Sequence, residues 1–135
     1  MRKTTLNKIA FADENELLAV RQIVKKAAQS IGFGIVDQTR LVTAVSEISR
    51  NAFEYAGKGV MLLEQVEDKM ETGLRVVITD QGPGIADIEL AMTDGYTSGR
   101  GMGKGLSGAK RLADEFSIQS NADEGTEIAI IKWLS

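Results

Sequence analysis

A two-layer α/β sandwich, one sheet with helices on one face, is the fold class this sequence predicts, and three patterns predict it. Two long runs with helical periodicity stand next to each other near the start. Two pairs of β-like runs, each pair joined by a short polar turn, lie in the middle and at the end. A glycine-rich loop and a further helical run separate the pairs, giving the order β-α-α-β-β-loop-α-β-β. The 135 residues suit one domain over 1–135 with its own core, and 43% hydrophobic with 26% charged residues is ordinary for a globular chain. No internal repeat, linker or low-complexity tract interrupts it.

Residues 3–11 predict a strand, although their polar–apolar alternation is poor. Asp13, with Glu16 three residues on, reads as a capping-box-like helix start. Leu17, Val20, Ile23, Val24, Ala27, Ala28 and Ile31 then recur at helical spacing until Gly32 and Gly34 stop the run. A second helix is expected over 36–56, with Asp37 near its start and Leu41, Ala44, Val45, Ile48 and Ala52 on its apolar face. Gly57 and Gly59 close it. Residues 60–67 and 74–80 are expected to be strands of an antiparallel hairpin joined by the charged stretch DKMETG. Residues 85–93 suit a short helix over the site, and 104–115 a third main helix. Strands are expected at 116–120 and 126–133, joined by NADEG.

Composition narrows the function. The net charge of −3, from 16 basic and 19 acidic residues, argues against nucleic acid or an anionic membrane as partner. With no cysteine and no histidine there is no disulfide, thiolate chemistry, His metal site, His base or phosphohistidine. No apolar run approaches the length of a membrane span, and MRKTTLNKIAFADEN lacks a signal-peptide core, so a cytoplasmic protein is expected.

Four features carry chemistry. Glu47 and Asn51, at i and i+4, share one face of the second helix, and a carboxylate beside an amide oxygen suits a general base next to Mg²⁺. A solvated polar face continuing through Thr43, Arg50 and Glu54 is the plain alternative. Asp80-Gln81-Gly82-Pro83-Gly84 puts an acceptor for the exocyclic amine of adenine at a strand end, with glycines that allow close approach; an ordinary turn is the alternative. Gly101-Met102-Gly103-Lys104-Gly105-Leu106 sits in a stretch where six of the chain's 14 glycines fall between Gly95 and Gly108. It lacks the GK[ST] ending of a Walker A loop. It runs into a helix, whose start offers free N–H groups to phosphate, whereas a flexible linker would not usually do so. Gly125-Thr126 opens the last strand, or makes a hairpin turn.

Together and in this order, E-x-x-x-N, D-x-G-x-G, G-x-G-x-G-L and G-T resemble the GHKL nucleotide-binding superfamily from about residue 36 to 133. That superfamily contains gyrase-type ATPases, the ninety-kilodalton heat-shock chaperone, histidine kinases and mismatch-repair ATPases. The resemblance implies the GHKL (Bergerat) fold with a mixed sheet. It also implies that Asn51 ligates Mg²⁺, Glu47 is the catalytic base and Asp80 binds adenine. Gly82 and Gly84 line the base; Gly101, Gly103, Lys104, Gly105 and Leu106 lie along the phosphates and lid; Thr126 supports Asp80 and the adenine. Histidine kinases often carry Lys where this chain has Glu54, and anti-sigma-factor kinases often carry His where it has Tyr55. Lys104 is expected to supply the missing positive charge.

The segments IGFGIVDQTRLVTAVSEISRNAFEYAGKG, TDQGPGI and DEFSIQSNADEGTEIAIIKWL are similar to the small bacterial serine/threonine kinases of stressosome partner switching. That resemblance implies an ATP-dependent protein kinase acting on Ser or Thr of STAS-domain partners in a stress response. It further implies a released form that binds and activates a PP2C-type phosphatase. The competing expectation is a nucleotide-dependent binding protein of the anti-sigma-factor type that sequesters its partner. Glu47 favours catalysis, because a pure binder needs only Asn51 and Asp80.

Overall fold

The computed structural model describes residues 1–82, 105–121 and 125–134. The elements are β1 (Arg2–Phe11), α1 (Glu14–Ile31), α2 (Ile35–Ala56), β2 (Gly59–Asp68), β3 (Glu71–Asp80), α3 (Gly105–Leu112), β4 (Glu115–Asn121) and β5 (Gly125–Trp133). Their order is the expected one. The short helix expected over 85–93 lies outside the described residues.

Each helix starts and stops for a local reason. At α1, Asp13 is extended (φ −152°) and its Oδ1 accepts from the N–H of Glu16 at 2.8 Å. Glu16 Oε1 reaches back to the N–H of Ala12 at 2.8 Å, one residue beyond the usual capping-box partner. Gly32 ends α1 in the left-handed conformation at φ 106°, and Gly57 does the same for α2 at φ 77°. The apolar stripes fall where the periodicity puts them: Leu17, Val20, Val24 and Ala28 are buried on α1, and Leu41, Ala44, Val45, Ile48 and Ala52 on α2.

The five strands run in the order β1-β2-β3-β5-β4, and every pairing is antiparallel. This corrects the expectation of a mixed sheet. β3, α3 and β4 form a crossover whose two strands point the same way, but β5 turns back from β4 and takes the place between them, so the parallel pair never forms. The hairpin between β2 and β3 is also tighter than expected. Asp68 pairs with Glu71, leaving only Lys69 and Met70 in the turn, with Lys69 at φ 58°. β1 alternates poorly because its register shifts between Thr5 and Asn7, and a bulge there switches the faces. α3 ends sooner than expected because the N–H of Asp114 donates to Ile131 O at 2.9 Å, which draws the chain into the sheet at Glu115.

One core fills the space between the helices and one sheet face, where Met61, Leu63, Val76, Ile78, Ile128 and Ile130 meet the stripes of α1 and α2. Each such side chain stabilises the fold by about 1.5–3 kcal/mol relative to exposure. At one corner Lys132, 8% exposed, places its Nζ 3.2 Å from Asp114 Oδ1 and 3.7 Å from Asp37 Oδ1. It thereby ties β5 to the start of α2 and to the turn after α3. No helix among the described residues is long and apolar enough to cross a membrane.

Candidate functional site

Four elements converge at one end of the sheet. β3 delivers Asp80 as its last residue, opposite Thr126 near the start of β5. Both are buried polar groups, each 6% exposed. The Asp80 carboxylate accepts from the N–H of Gly82, which lies 3.0 Å from Oδ1, and from the backbone N–H of Thr126. Burial raises the Asp80 pKa above its ordinary value, and these two N–H groups act against that rise. An ionised carboxylate has about four lone-pair positions, so acceptor capacity remains for a ligand amine.

Two glycines let the backbone close up here. Gly125 has φ +89°, and a Cβ on it would lie 2.0 Å from Asp80 O. A Cβ on Gly82 would lie 2.7 Å from Ala56 Cβ, so the turn after Asp80 packs directly against the end of α2. That contact joins the strand-end acceptor to the helix that carries Glu47 and Asn51.

Glu47 and Asn51 are both partly buried on α2. The Glu47 carboxylate accepts a hydrogen bond from the backbone N–H of Gly105, the first residue of α3. Burial pushes the Glu47 pKa above its ordinary 4.5; Arg50 lowers it, Glu54 raises it further, and the Gly105 N–H lowers it. In this state the carboxylate occupies the anion position at a helix start.

Leu106 follows Gly105 and is 1% exposed in the core, so its side chain anchors α3 and only its backbone is left to face a ligand. Gly84, Gly101, Gly103 and Lys104 lie outside the described residues. Two neighbours were not read from the sequence. Ala56 is the surface on which Gly82 packs. Ser120, on β4 opposite Thr126, places its Oγ 2.8 Å from Thr126 Oγ1. The alternation in FSIQS across the hairpin from Gly125-Thr126 could have signalled Ser120. A depression of about 420 Å³ opens beside Asp80, Gln81, Ser120, Gly125 and Thr126, within the range of ligand clefts.

Among the described residues no group of three or more acids could hold a metal alone. The donor set suits Mg²⁺ arriving with a phosphate ligand. That ion usually keeps several waters and takes only one or two protein oxygens, and Asn51 offers one. The arrangement thus combines a buried strand-end carboxylate with acceptor capacity to spare, a helix start and a second, partly buried carboxylate.

Residues 11–132 match the family described as Histidine kinase-like ATPase domain. The chain belongs to that family. Within the histidine kinase-like ATPases, it is 52% identical over 126 residues to the serine/threonine-protein kinase RsbT of Bacillus subtilis, covering 93% of this chain and 95% of RsbT. It is 31% identical over 128 residues to an anti-sigma F factor of Pasteuria penetrans, covering 90% of this chain and 84% of that one. The fold is shared with solved structures. A crystal structure of the RsbU and RsbW domains of a Mycobacterium tuberculosis protein matches with TM-score 0.64 at 20% identity, over 94% of this chain and 32% of that longer one. The mycobacterial sensor histidine kinase MprB matches with TM-score 0.56 at 19% identity, over 94% of this chain and 96% of that one. These relationships agree with the expected GHKL fold and with an ATP-dependent protein serine/threonine kinase.

Proposed function

We propose that this chain transfers the γ-phosphate of ATP to a Ser or Thr of a STAS-domain partner in a stress-response switch. Once released, it binds and activates a PP2C-type phosphatase. The observation that carries the reading is the meeting of Glu47 with Gly105. It puts a half-buried carboxylate at the helix start where phosphate would lie, on the helix that also packs against the Asp80 turn. Similarity to RsbT over nearly the whole chain supports the substrate class.

Asp80 accepts from the exocyclic amine of adenine, with Thr126 beside it and Gly82 and Gly84 along the base. Gly101, Gly103, Lys104, Gly105 and the backbone of Leu106 face the phosphates. Asn51 would hold Mg²⁺, which when bound supplies charge neutralisation across the phosphates. Glu47 takes the proton of the partner's hydroxyl as its oxygen bonds to the γ-phosphorus and the β–γ bridging bond breaks, releasing ADP. A raised pKa suits a base that must hold this proton.

Similarity to anti-sigma F factors supports a second reading, nucleotide-dependent sequestration of a partner. Single-turnover transfer from labelled ATP to a STAS protein separates the two. Glu47→Gln is expected to bind ATP yet lose about 10²–10⁴-fold in transfer rate, and Asp80→Asn to lose ATP binding with the fold intact. Full transfer by Glu47→Gln would overturn the assigned base. Tight partner binding without any transfer would favour sequestration.

A further inference from the structure

We infer that Ala56 is a positioning residue: its methyl group is the stop on which the Gly82 turn rests, and it sets the spacing between the Asp80 carboxylate and Asn51. The inference rests on the proposed reading in which Asp80 takes the adenine and Asn51 the Mg²⁺ that comes with the phosphates.

The backbone does not require glycine at position 82. Gly32, Gly57, Gly105 and Gly125 hold a positive φ, and Gly82 does not. Space requires it instead. A methyl on Gly82 would lie 2.7 Å from Ala56 Cβ, 3.1 Å from Ala56 Cα and 3.3 Å from Asp80 Oδ1. Gly82 thus fills the gap between the end of α2 and the carboxylate that its own N–H holds at 3.0 Å.

Both sides of this contact are firmly held. Ala56 is the last residue of α2, and Gly57 caps that helix with an N–H donated to Phe53 O at 2.8 Å. Asp80 ends β3, which is paired on both sides, with β2 and β5. Asn51 precedes Ala56 on the same helix by about 7.5 Å along its axis, and Glu47 by about 13.5 Å. A shift at the Ala56 contact therefore moves the base acceptor relative to both. A nucleotide engaged at both ends has to match that spacing, and an error of about 1 Å can cost about 100-fold. A methyl on Gly82 imposes an error of that size, because carbon atoms pack at about 3.5–4.0 Å and 2.7 Å falls short by about 1 Å. The plain alternative is packing alone, in which an added methyl disturbs the turn and nothing beyond it.

Titration calorimetry with ATP, in Mg²⁺ and in EDTA, tests this on the wild type, Gly82→Ala, Ala56→Gly and the double variant, with thermal unfolding as a check of each fold. The quantity read is the gain in ATP affinity that Mg²⁺ supplies, because that gain needs one nucleotide to engage the base end and Asn51 together. Gly82→Ala is expected to lose about 100-fold in Mg²⁺-ATP affinity and most of the gain. Adding Ala56→Gly removes the carbon met at 2.7 Å and leaves 3.1 Å to Cα. The double variant is therefore expected to recover about 10-fold or more, together with the gain. Ala56 is partly exposed, so Ala56→Gly opens no closed cavity and should fold. Alone, it removes the stop and is expected to lower the gain, by less than Gly82→Ala does. Equal losses in Gly82→Ala with and without Mg²⁺, or no rescue by Ala56→Gly, would overturn the inference. So would an unchanged gain in Ala56→Gly alone, which keeps the test decisive if Gly82→Ala does not fold. Absence of any Mg²⁺ effect in the wild type would overturn the Asn51 reading, and the inference with it.

Discussion

Glu47 is pulled in opposite directions by its surroundings, and burial wins. Its folded pKa lies above its unfolded one, so the folded state holds the proton more tightly. The stability this contributes is fully present below the unfolded value and is lost as pH rises through the folded one. Near neutral pH the ionised carboxylate therefore costs the fold some stability, offset in part by Arg50 and by the N–H of Gly105. Glu47→Gln removes the charge but keeps an oxygen for that N–H. The variant is expected to melt at a higher temperature than wild type near neutral pH, with the gain fading toward about pH 4. Thermal unfolding across that range checks it. A gain that does not vary with pH would mean that burial of the charge is not its source. The i, i+4 pairing of Glu47 with Asn51 was legible in the sequence, because helical geometry alone puts both on one face. The bond to Gly105 was not, because it joins residues of different helices that only the packing of α3 against α2 brings together.

Among the elements, the β4–β5 hairpin shows how a turn signal understates a constraint. Gly125 is recognisable as a turn residue from NADEG and the strand that follows it. Nothing local shows that its Cα faces the Asp80 carbonyl on β3, since that contact depends on β5 inserting beside β3. Gly125→Ala adds a Cβ 2.0 Å from Asp80 O at a φ of +89°. It is expected to destabilise the fold by about 2–4 kcal/mol and to weaken ATP binding by displacing Asp80. Urea unfolding with nucleotide titration measures both, and a loss of stability with ATP affinity intact would separate the hairpin from the site. The other departures also have local causes. The bulge between Thr5 and Asn7 hides the alternation of β1, and the Lys69-Met70 turn carries no glycine or asparagine to announce it. The helix faces, by contrast, follow the sequence closely, because a 3.6-residue period repeated over several turns is a strong signal.

For the molecule as a whole, the order of elements was readable from periodicity and turns, whereas the strand order was not, since two β-like runs after a helix can enter a sheet in more than one place. Lys132 is the long-range contact that periodicity cannot show: a charged residue in an apolar strand, held between Asp37 and Asp114. Lys132→Met keeps the apolar stem and removes the cation. Asp37 retains Arg40 at 3.3 Å and Asp114 retains the N–H of Trp133 at 2.7 Å, so a loss of about 1–3 kcal/mol is expected on urea unfolding. No loss would show that the cluster contributes nothing net. Its geometry matters beyond stability. Lys132 fastens the chain just past one end of α3, while the other end, Gly105, meets Glu47. Eight residues make α3 a rod of about 12 Å, so a tilt of about 5° at the fastened end swings Gly105 by about 1 Å. A shift of that size would lengthen the contact between Gly105 and the Glu47 carboxylate, so the burial of Leu106 beside Gly105 and the hold of Lys132 past the other end together keep that contact in place.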